Sequence, residues 1–193
     1  MSSHIYIPSL IPDKFGDLNT LIDFTKDSLA VHGDSDWENK RQANYSLTGL
    51  MKSGMGWRSD DRQPTQKYTE AMVAIRDLLL SYANANGLDF GTMNYCLANL
   101  YKDGDSNMGW HVDGTRQGVI ETNPIVSVSF GDSRIMEWQT RDTSDEEGLV
   151  VDSVLLESGD VFVISDEFQK LYEHRIPPMK DKGARINLTF RSY

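Results

Sequence analysis

The sequence is poor in cysteine, in histidine and in positive charge, and each shortage excludes something. One cysteine, Cys96, in 193 residues rules out an intrachain disulfide and any zinc site built from several thiolates, and it suits a reducing compartment. Long apolar runs are absent: the longest, Ala71 to Ile75, has five residues, against the ~20 needed to cross a bilayer. The opening residues MSSHIYIPSLIPDKFG have neither the basic nor the apolar region of a secretory leader. An intracellular, most simply cytoplasmic, address without membrane association is therefore expected. Lys and Arg number 19 against 29 Asp and Glu, a net charge of −10, so a nucleic-acid partner would need a local basic surface.

What is present fits a soluble globular chain, with 39% hydrophobic and 25% charged residues and no repeat or low-complexity tract. The length predicts a single domain over 1–193, and a monomer is expected. The charge is segregated: between Lys40 and Lys67 six cations (Lys40, Arg41, Lys52, Arg58, Arg62, Lys67) face only Asp60 and Asp61, a net charge of +4. Tyr45, Trp57 and several glycines lie in or beside the same stretch. Such a segment is either an ordinary solvated loop or a surface that grips a nucleic-acid backbone and stacks a base.

Helical spacing of apolar residues predicts helices over about Asp17 to Ala30 and Thr65 to Ala85, the second ending at Asn86-Gly87. Beyond residue 90 the period changes to that of short strands, at Asn94 to Lys102, Pro124 to Phe130, Arg134 to Gln139, Leu149 to Leu156, Asp160 to Ser165, Leu171 to Ile176 and Ala184 to Arg191. That succession, with no helical pattern between strands, predicts an α+β, mainly β fold: an antiparallel sandwich or jelly roll over 91–193, with N-terminal helices and a recognition lid in 1–90.

Two of the four histidines are candidates for chemistry. In Trp110-His111-Val112-Asp113 the imidazole and the carboxylate are two residues apart, so in extended backbone both leave from one face. His174 would complete a 2-His-1-carboxylate triad for Fe(II). The dipeptide spacing alone is equally served by a structural histidine. The C-terminal strand adds an independent pattern, since Arg185, Asn187, Thr189 and Arg191 alternate with Ile186, Leu188 and Phe190. Two arginines bracketing an amide and a hydroxyl suit a dicarboxylate, although a solvated edge strand could alternate in the same way. Cys96, inside a strand, reads as a small buried hydrophobe, and Glu173 should point away from the face that carries His174.

Taken together and in order, Asn99-Leu100-Tyr101, Asp103-Gly104, Gly109-Trp110-His111-Val112-Asp113, Pro124 to Gly131, Ser158-Gly159-Asp160, His174 and the last strand resemble the AlkB family of 2-oxoglutarate- and Fe(II)-dependent dioxygenases. The resemblance implies a double-stranded β-helix core and oxidative dealkylation of N-alkylated bases in DNA or RNA, single-stranded or flipped out. Succinate, CO2 and formaldehyde are the products, and Fe(II), 2-oxoglutarate and O2 the cofactors. It also implies that His111, Asp113 and His174 ligate the metal, that Arg185 and Arg191 take the two carboxylates of 2-oxoglutarate, and that Asn99, Tyr101 and Asn187 line its site. Arg41, Tyr45, Trp57 and Thr115 become candidate substrate contacts. Many relatives that repair DNA have an acidic residue where this chain has Thr115, so the preferred base is left open. Hydroxylation of a protein or small molecule, or binding without turnover, are the competing readings.

Overall fold

The chain is described here by a computed structural model that covers residues 3–24, 40–49, 65–113, 123–141 and 150–192. Among these residues there are three helices and eleven strands. In chain order they are β1 (His4–Ile7), α1 (Phe15–Leu21), β2 (Lys40–Ser46), β3 (Gln66–Lys67), α2 (Glu70–Ala85), β4 (Tyr95–Tyr101), β5 (Met108–His111), β6 (Ile125–Gly131), β7 (Arg134–Thr140), β8 (Val150–Leu156), β9 (Val161–Ile164), α3 (Asp166–Leu171), β10 (Tyr172–Ile176) and β11 (Arg185–Arg191). The architecture is mainly β, as expected, and the strands form two sheets. A seven-stranded sheet has the order β1-β9-β6-β11-β4-β2-β3 and a four-stranded sheet the order β5-β10-β7-β8. Every pair is antiparallel except the short β2–β3 contact.

The alternation along each strand divides the interior into two cores. On one face of the large sheet, Cys96, Ala98, Val126, Val128, Val161, Val163, Ile186, Leu188 and Phe190 join Leu18 of α1 and Met72, Ile75, Leu79 and Ala83 of α2 in one apolar cluster. Cys96 is thus the buried hydrophobe expected of it, and burial pushes its thiol up, away from thiolate formation. On the other face, Tyr101, Ile125, Phe162 and Ile164 of the large sheet meet Met136, Trp138, Leu156 and Ile176 of the small one. The candidate site lies on this second face.

Several boundaries depart from the sequence reading for identifiable reasons. The first helix begins at Phe15 and stops at Leu21: Ile22 is extended (φ −85°, ψ 117°) and it and Phe24 are buried as core residues instead of prolonging the helix. The second begins at Glu70, because Gln66 and Lys67 pair with Tyr45 and Ser46 as β3 and the Thr69 side chain then caps the helix by accepting from Met72 N at 3.2 Å. Its stop at Asn86-Gly87 stands, with Gly87 at φ 66°. Leu171, read as the start of a strand, is the last residue of α3, a one-and-a-half-turn helix capped by Ser165 through a bond from Phe168 N at 3.1 Å. The largest difference concerns the N-terminal part. β1, β2 and β3 are integral strands of the large sheet, so its strands come from both sides of residue 90.

One buried cation ties together the loop that follows β4 and those that precede β7 and β11. Arg134 is fully buried, and its guanidinium donates to Asp103 O at 2.6 Å, Gly183 O at 2.8 Å and Ser133 O at 3.1 Å. Gly104, beside the first of these carbonyls, has no room for a side chain: a Cβ there would sit 1.9 Å from Met179 O.

Candidate metal centre

Two residues 63 positions apart in the chain become neighbours because β5 and β10 pair antiparallel with His174 directly opposite His111. The two imidazole centroids are 4.3 Å apart. Asp113 lies two residues beyond His111 and turns its carboxylate between the rings, with His111 Nε2 3.7 Å from Oδ1 and His174 Nε2 3.8 Å from Oδ2. One ligand atom from each of the three side chains lies within 4.8 Å of the other two. His111 Nδ1 donates to Gly109 O at 2.8 Å, which orients the ring with Nε2 toward Asp113.

The electrostatics suit a cation. Burial by itself would raise the Asp113 carboxyl, but Arg191 and the two imidazoles outweigh it and hold it at about 2. Burial, helped by the neighbouring His111 and Arg191, lowers His174 to about 3, so its ring is neutral near pH 7, as a ligand must be. Arg191 Nη2 donates to Asp113 Oδ1 at 3.0 Å and links the last strand to the carboxylate.

β11 is central, not an edge strand: β6 and β4 pair with it on either side, and all seven of its residues are buried. Its polar row therefore faces the interior, on the side of Tyr101 and the small sheet. Arg185 is opposite Tyr101, with its guanidinium 4.9 Å from that ring, and Nη2 donates to Ser129 Oγ at 2.8 Å. Its Nε and Nη1 are buried without a partner in the structure. Asn187 is opposite Asn99, and its amide donates to Ser127 Oγ at 2.8 Å and Val128 O at 3.1 Å. Asn99 in turn accepts from Gln42 Nε2 at 2.8 Å.

The residues expected at a metal and a dicarboxylate thus come together: His111, Asp113 and His174 on or next to the small sheet, and Asn99, Tyr101, Arg185, Asn187 and Arg191 on the facing row of the large one. Their chemistry fits both groups. Two imidazole nitrogens and a carboxylate oxygen are the donor set of a facial triad, and a buried guanidinium with two unpartnered nitrogens has N–H donors free for a carboxylate.

The expected substrate contacts fare differently. Tyr45 is 1% exposed in the apolar cluster, and its hydroxyl accepts from Asp23 N and donates to Gln66 Oε1, both at 3.2 Å. Its ring packs against the core, which corrects the expectation of a stacking surface. Arg41 has its backbone in β2, opposite Leu100, while its side chain, Trp57 and Thr115 lie outside the described residues. Trp110 is on the outer face of the small sheet, with the Arg175 guanidinium 4.5 Å from its ring. Glu173 also leaves the face opposite His174, where Gln139 donates to it.

Sequence reading missed Gln42, Ser127, Ser129, Arg134 and Gln169. Ser127 and Ser129 had a readable signal, since they alternate with Val126, Val128 and Phe130 in the same way as the polar row of β11 does. Gln169, one polar residue on a short helix, had none.

A mainly β chain that sets two imidazoles and a carboxylate opposite a row of buried arginines has the build of a metal-dependent oxygenase domain. The chain belongs to the 2OG-Fe(II) oxygenase superfamily, which it matches over residues 12–191. It is homologous to AlkB-family proteins: 29% identical over 156 residues to the DNA oxidative demethylase ALKBH2 of Homo sapiens, covering 79% of this chain and 56% of that protein. It is also 31% identical over 107 residues to the alpha-ketoglutarate-dependent dioxygenase alkB homolog 3 of Homo sapiens, covering 52% of this chain and 37% of the relative. An uncharacterized protein, R406 of Acanthamoeba polyphaga mimivirus, is 38% identical over 93 residues, 47% of this chain and 45% of its own length. The chain spans about half the length of the curated relatives it matches. The solved structure of OsALKBH1 shares the fold, with a TM-score of 0.52 at 21% identity over 80% of this chain and 78% of that one. The superfamily uses Fe(II), 2-oxoglutarate and O2, for which His111, Asp113 and His174 form a possible metal site. No helix among the described residues is long and apolar enough to cross a membrane.

Proposed function

We propose that this chain is an Fe(II)- and 2-oxoglutarate-dependent dioxygenase with a jelly-roll core that removes N-alkyl groups oxidatively from nucleobases in DNA or RNA, releasing succinate, CO2 and formaldehyde. The observation that carries this reading is the convergence of His111, Asp113 and His174 beside Arg191, on a chain similar over 156 residues to a DNA oxidative demethylase. Iron with 2-oxoglutarate supplies the oxidising chemistry when bound, and the protein supplies binding, orientation and exclusion of water.

His111, Asp113 and His174 would hold the metal. Arg185 receives the distal carboxylate of the diacid in a site already desolvated by burial, where each charge-assisted bond is strong. Arg191 takes the carboxylate nearer the metal while remaining bonded to Asp113, so cosubstrate and ligand orientation are coupled. Asn99, Tyr101 and Asn187 fix the diacid between these ends. The basic stretch 40–67 serves nucleotide recognition, with Arg41 and Trp57 as contacts and Thr115 near the base; reaching an alkylated base requires a single strand or a flipped nucleotide. The chain acts as one intracellular domain and as a monomer.

The test is reconstitution with Fe(II) and 2-oxoglutarate, followed by air and a panel of methylated DNA and RNA oligonucleotides, read by mass. Succinate and formaldehyde should appear in equal amounts with loss of one methylene mass (N–CH3 becoming N–H), and His111→Ala should abolish both. Turnover that requires a protein or small-molecule substrate instead, a reading favoured by the net charge of −10, would replace the nucleobase assignment and keep the cofactor chemistry.

A further inference from the structure

The ladder between β5 and β10 ends where it is needed most. His111 is paired with His174, but Asp113 lies past the end of β5. A buried backbone N–H and C=O without partners would be costly and would leave the ligand loosely placed. Both are taken by one side chain, 56 residues away in sequence. Gln169 Oε1 accepts from Asp113 N at 3.1 Å, and Gln169 Nε2 donates to Asp113 O. An amide offers one donor and one acceptor on the same plane, so it stands in for the missing strand partner.

Gln169 is itself rigidly held. It is 1% exposed, its backbone N–H donates to Ser165 O at 3.2 Å, and its carbonyl accepts from Arg141 Nη1 at 3.1 Å. It sits on α3, which runs directly into β10 and His174. One short element therefore delivers the third ligand and also grips the main chain of the second. The Asp113 carboxylate must serve both imidazoles and Arg191 at once, so rotation of its backbone would move the oxygens away from all three.

We infer that Gln169 is a positioning residue of the metal centre, an amide clamp on the main chain of Asp113 that sets the carboxylate's place in the triad. The inference rests on the proposed metal-binding reading. Its test is the Mn(II) dissociation constant of the full chain, measured by calorimetry without turnover, together with the melting temperature of the metal-free protein. Gln169→Met removes both bonds at similar volume. Gln169→Glu keeps an acceptor for Asp113 N–H but sets a second oxygen against Asp113 O, and serves if the apolar variant fails to fold. Ser165→Ala weakens the α3 cap without touching the clamp. Loss of an outer partner of a metal ligand typically costs about 10–100-fold in affinity, and that loss is expected in both Gln169 variants, with Ser165→Ala within about threefold of the parent. A folded Gln169 variant that binds Mn(II) within threefold of the parent, or an equal loss in Ser165→Ala, overturns the inference and leaves the proposed function standing. A parent chain that binds no Mn(II) takes down both.

Discussion

Two buried arginines near the site should respond in opposite ways to the same substitution. Arg134 gives its guanidinium to three backbone carbonyls and leaves Nε alone without a partner, whereas Arg185 donates from Nη2 to Ser129 Oγ and leaves both Nε and Nη1 without partners. Burial disfavours the Arg185 charge, and the Tyr101 hydroxyl beside it only partly offsets that. Each buried donor without a partner costs about 1–3 kcal/mol, so Arg185→Met should leave the metal-free chain as stable as the parent or more so, by up to ~2 kcal/mol. The same change deletes two charge-assisted bonds to a diacid at about 1.5 kcal/mol or more each. That sum of ~3 kcal/mol corresponds to a loss of 2-oxoglutarate affinity of about 100-fold. Arg134→Met, in contrast, strands three carbonyls and should lower stability by ~2–4 kcal/mol. Urea unfolding of the metal-free variants and calorimetric titration of the Mn(II)-loaded ones with 2-oxoglutarate measure both effects. Arg185→Met that unfolds as readily as Arg134→Met, yet binds 2-oxoglutarate like the parent, would refute the reasoning and make Arg185 a purely structural cation.

Gly104→Ala should destabilise the chain by ~2–3 kcal/mol, because its Cβ would lie 1.9 Å from the Met179 carbonyl, itself fixed by the bond from Met179 N to Gly104 O at 2.8 Å. A fall in melting temperature of under ~2 °C, against the ~5–10 °C expected for a chain of this size, would count against that packing. Acidification should weaken the metal-free chain. Burial first, then His111, lower His174 from 6.5 to about 3, so between those values the unfolded state binds a proton that the native state refuses. Unfolding free energy in EDTA should therefore drop by about 1.4 kcal/mol from pH 7.5 to 5.5, and His174→Gln should remove most of that drop. The depressed carboxyl of Asp113 adds a second loss only below pH ~4, as the pH falls through its native value of about 2.

How much of this was readable beforehand depended on whether a signal was local or relational. The polar row of β11 was legible because strict alternation over seven residues has few causes. Sequence alone could not say whether that row met solvent or the interior, since that is decided by β4 and β6 pairing on either side of it. His111 and Asp113 share a face by spacing alone, but that His174 stands opposite His111 is a property of register. The stretch from Lys40 read as a basic lid because its charges are conspicuous. Its first seven residues form β2, and the feature that decides this is quieter: Ala43 and Tyr45 are buried against the core, while Gln42 turns to the site and bonds Asn99. Tyr45 misleads for the same reason, because an aromatic residue among cations resembles a stacking surface until its strand is known to be an inner one. Gln169 could not have been found at all, since its role exists only as two bonds to a main chain 56 residues away.

The two sheets do different work, and the site needs both to stay fixed relative to one another. The large sheet contributes the arginines from a strand whose other face, Ile186, Leu188 and Phe190, is set in the core that includes α2. The small sheet contributes the histidines and is spaced from the large one by Trp138, Met136, Leu156 and Ile176 packing on Tyr101, Ile125, Phe162 and Ile164. Trp138 is the direct cross-strand neighbour of His174, so the layer that sets the gap between sheets also supports a metal ligand. Across that gap, Arg191 meets Asp113 in an ion pair at 3.0 Å. On the proposed reading, a diacid drawn to Arg191 would arrive beside the triad. Placing both cations on one strand makes their separation a property of backbone repeat, about 20 Å between α-carbons six residues apart at ~3.3 Å per residue.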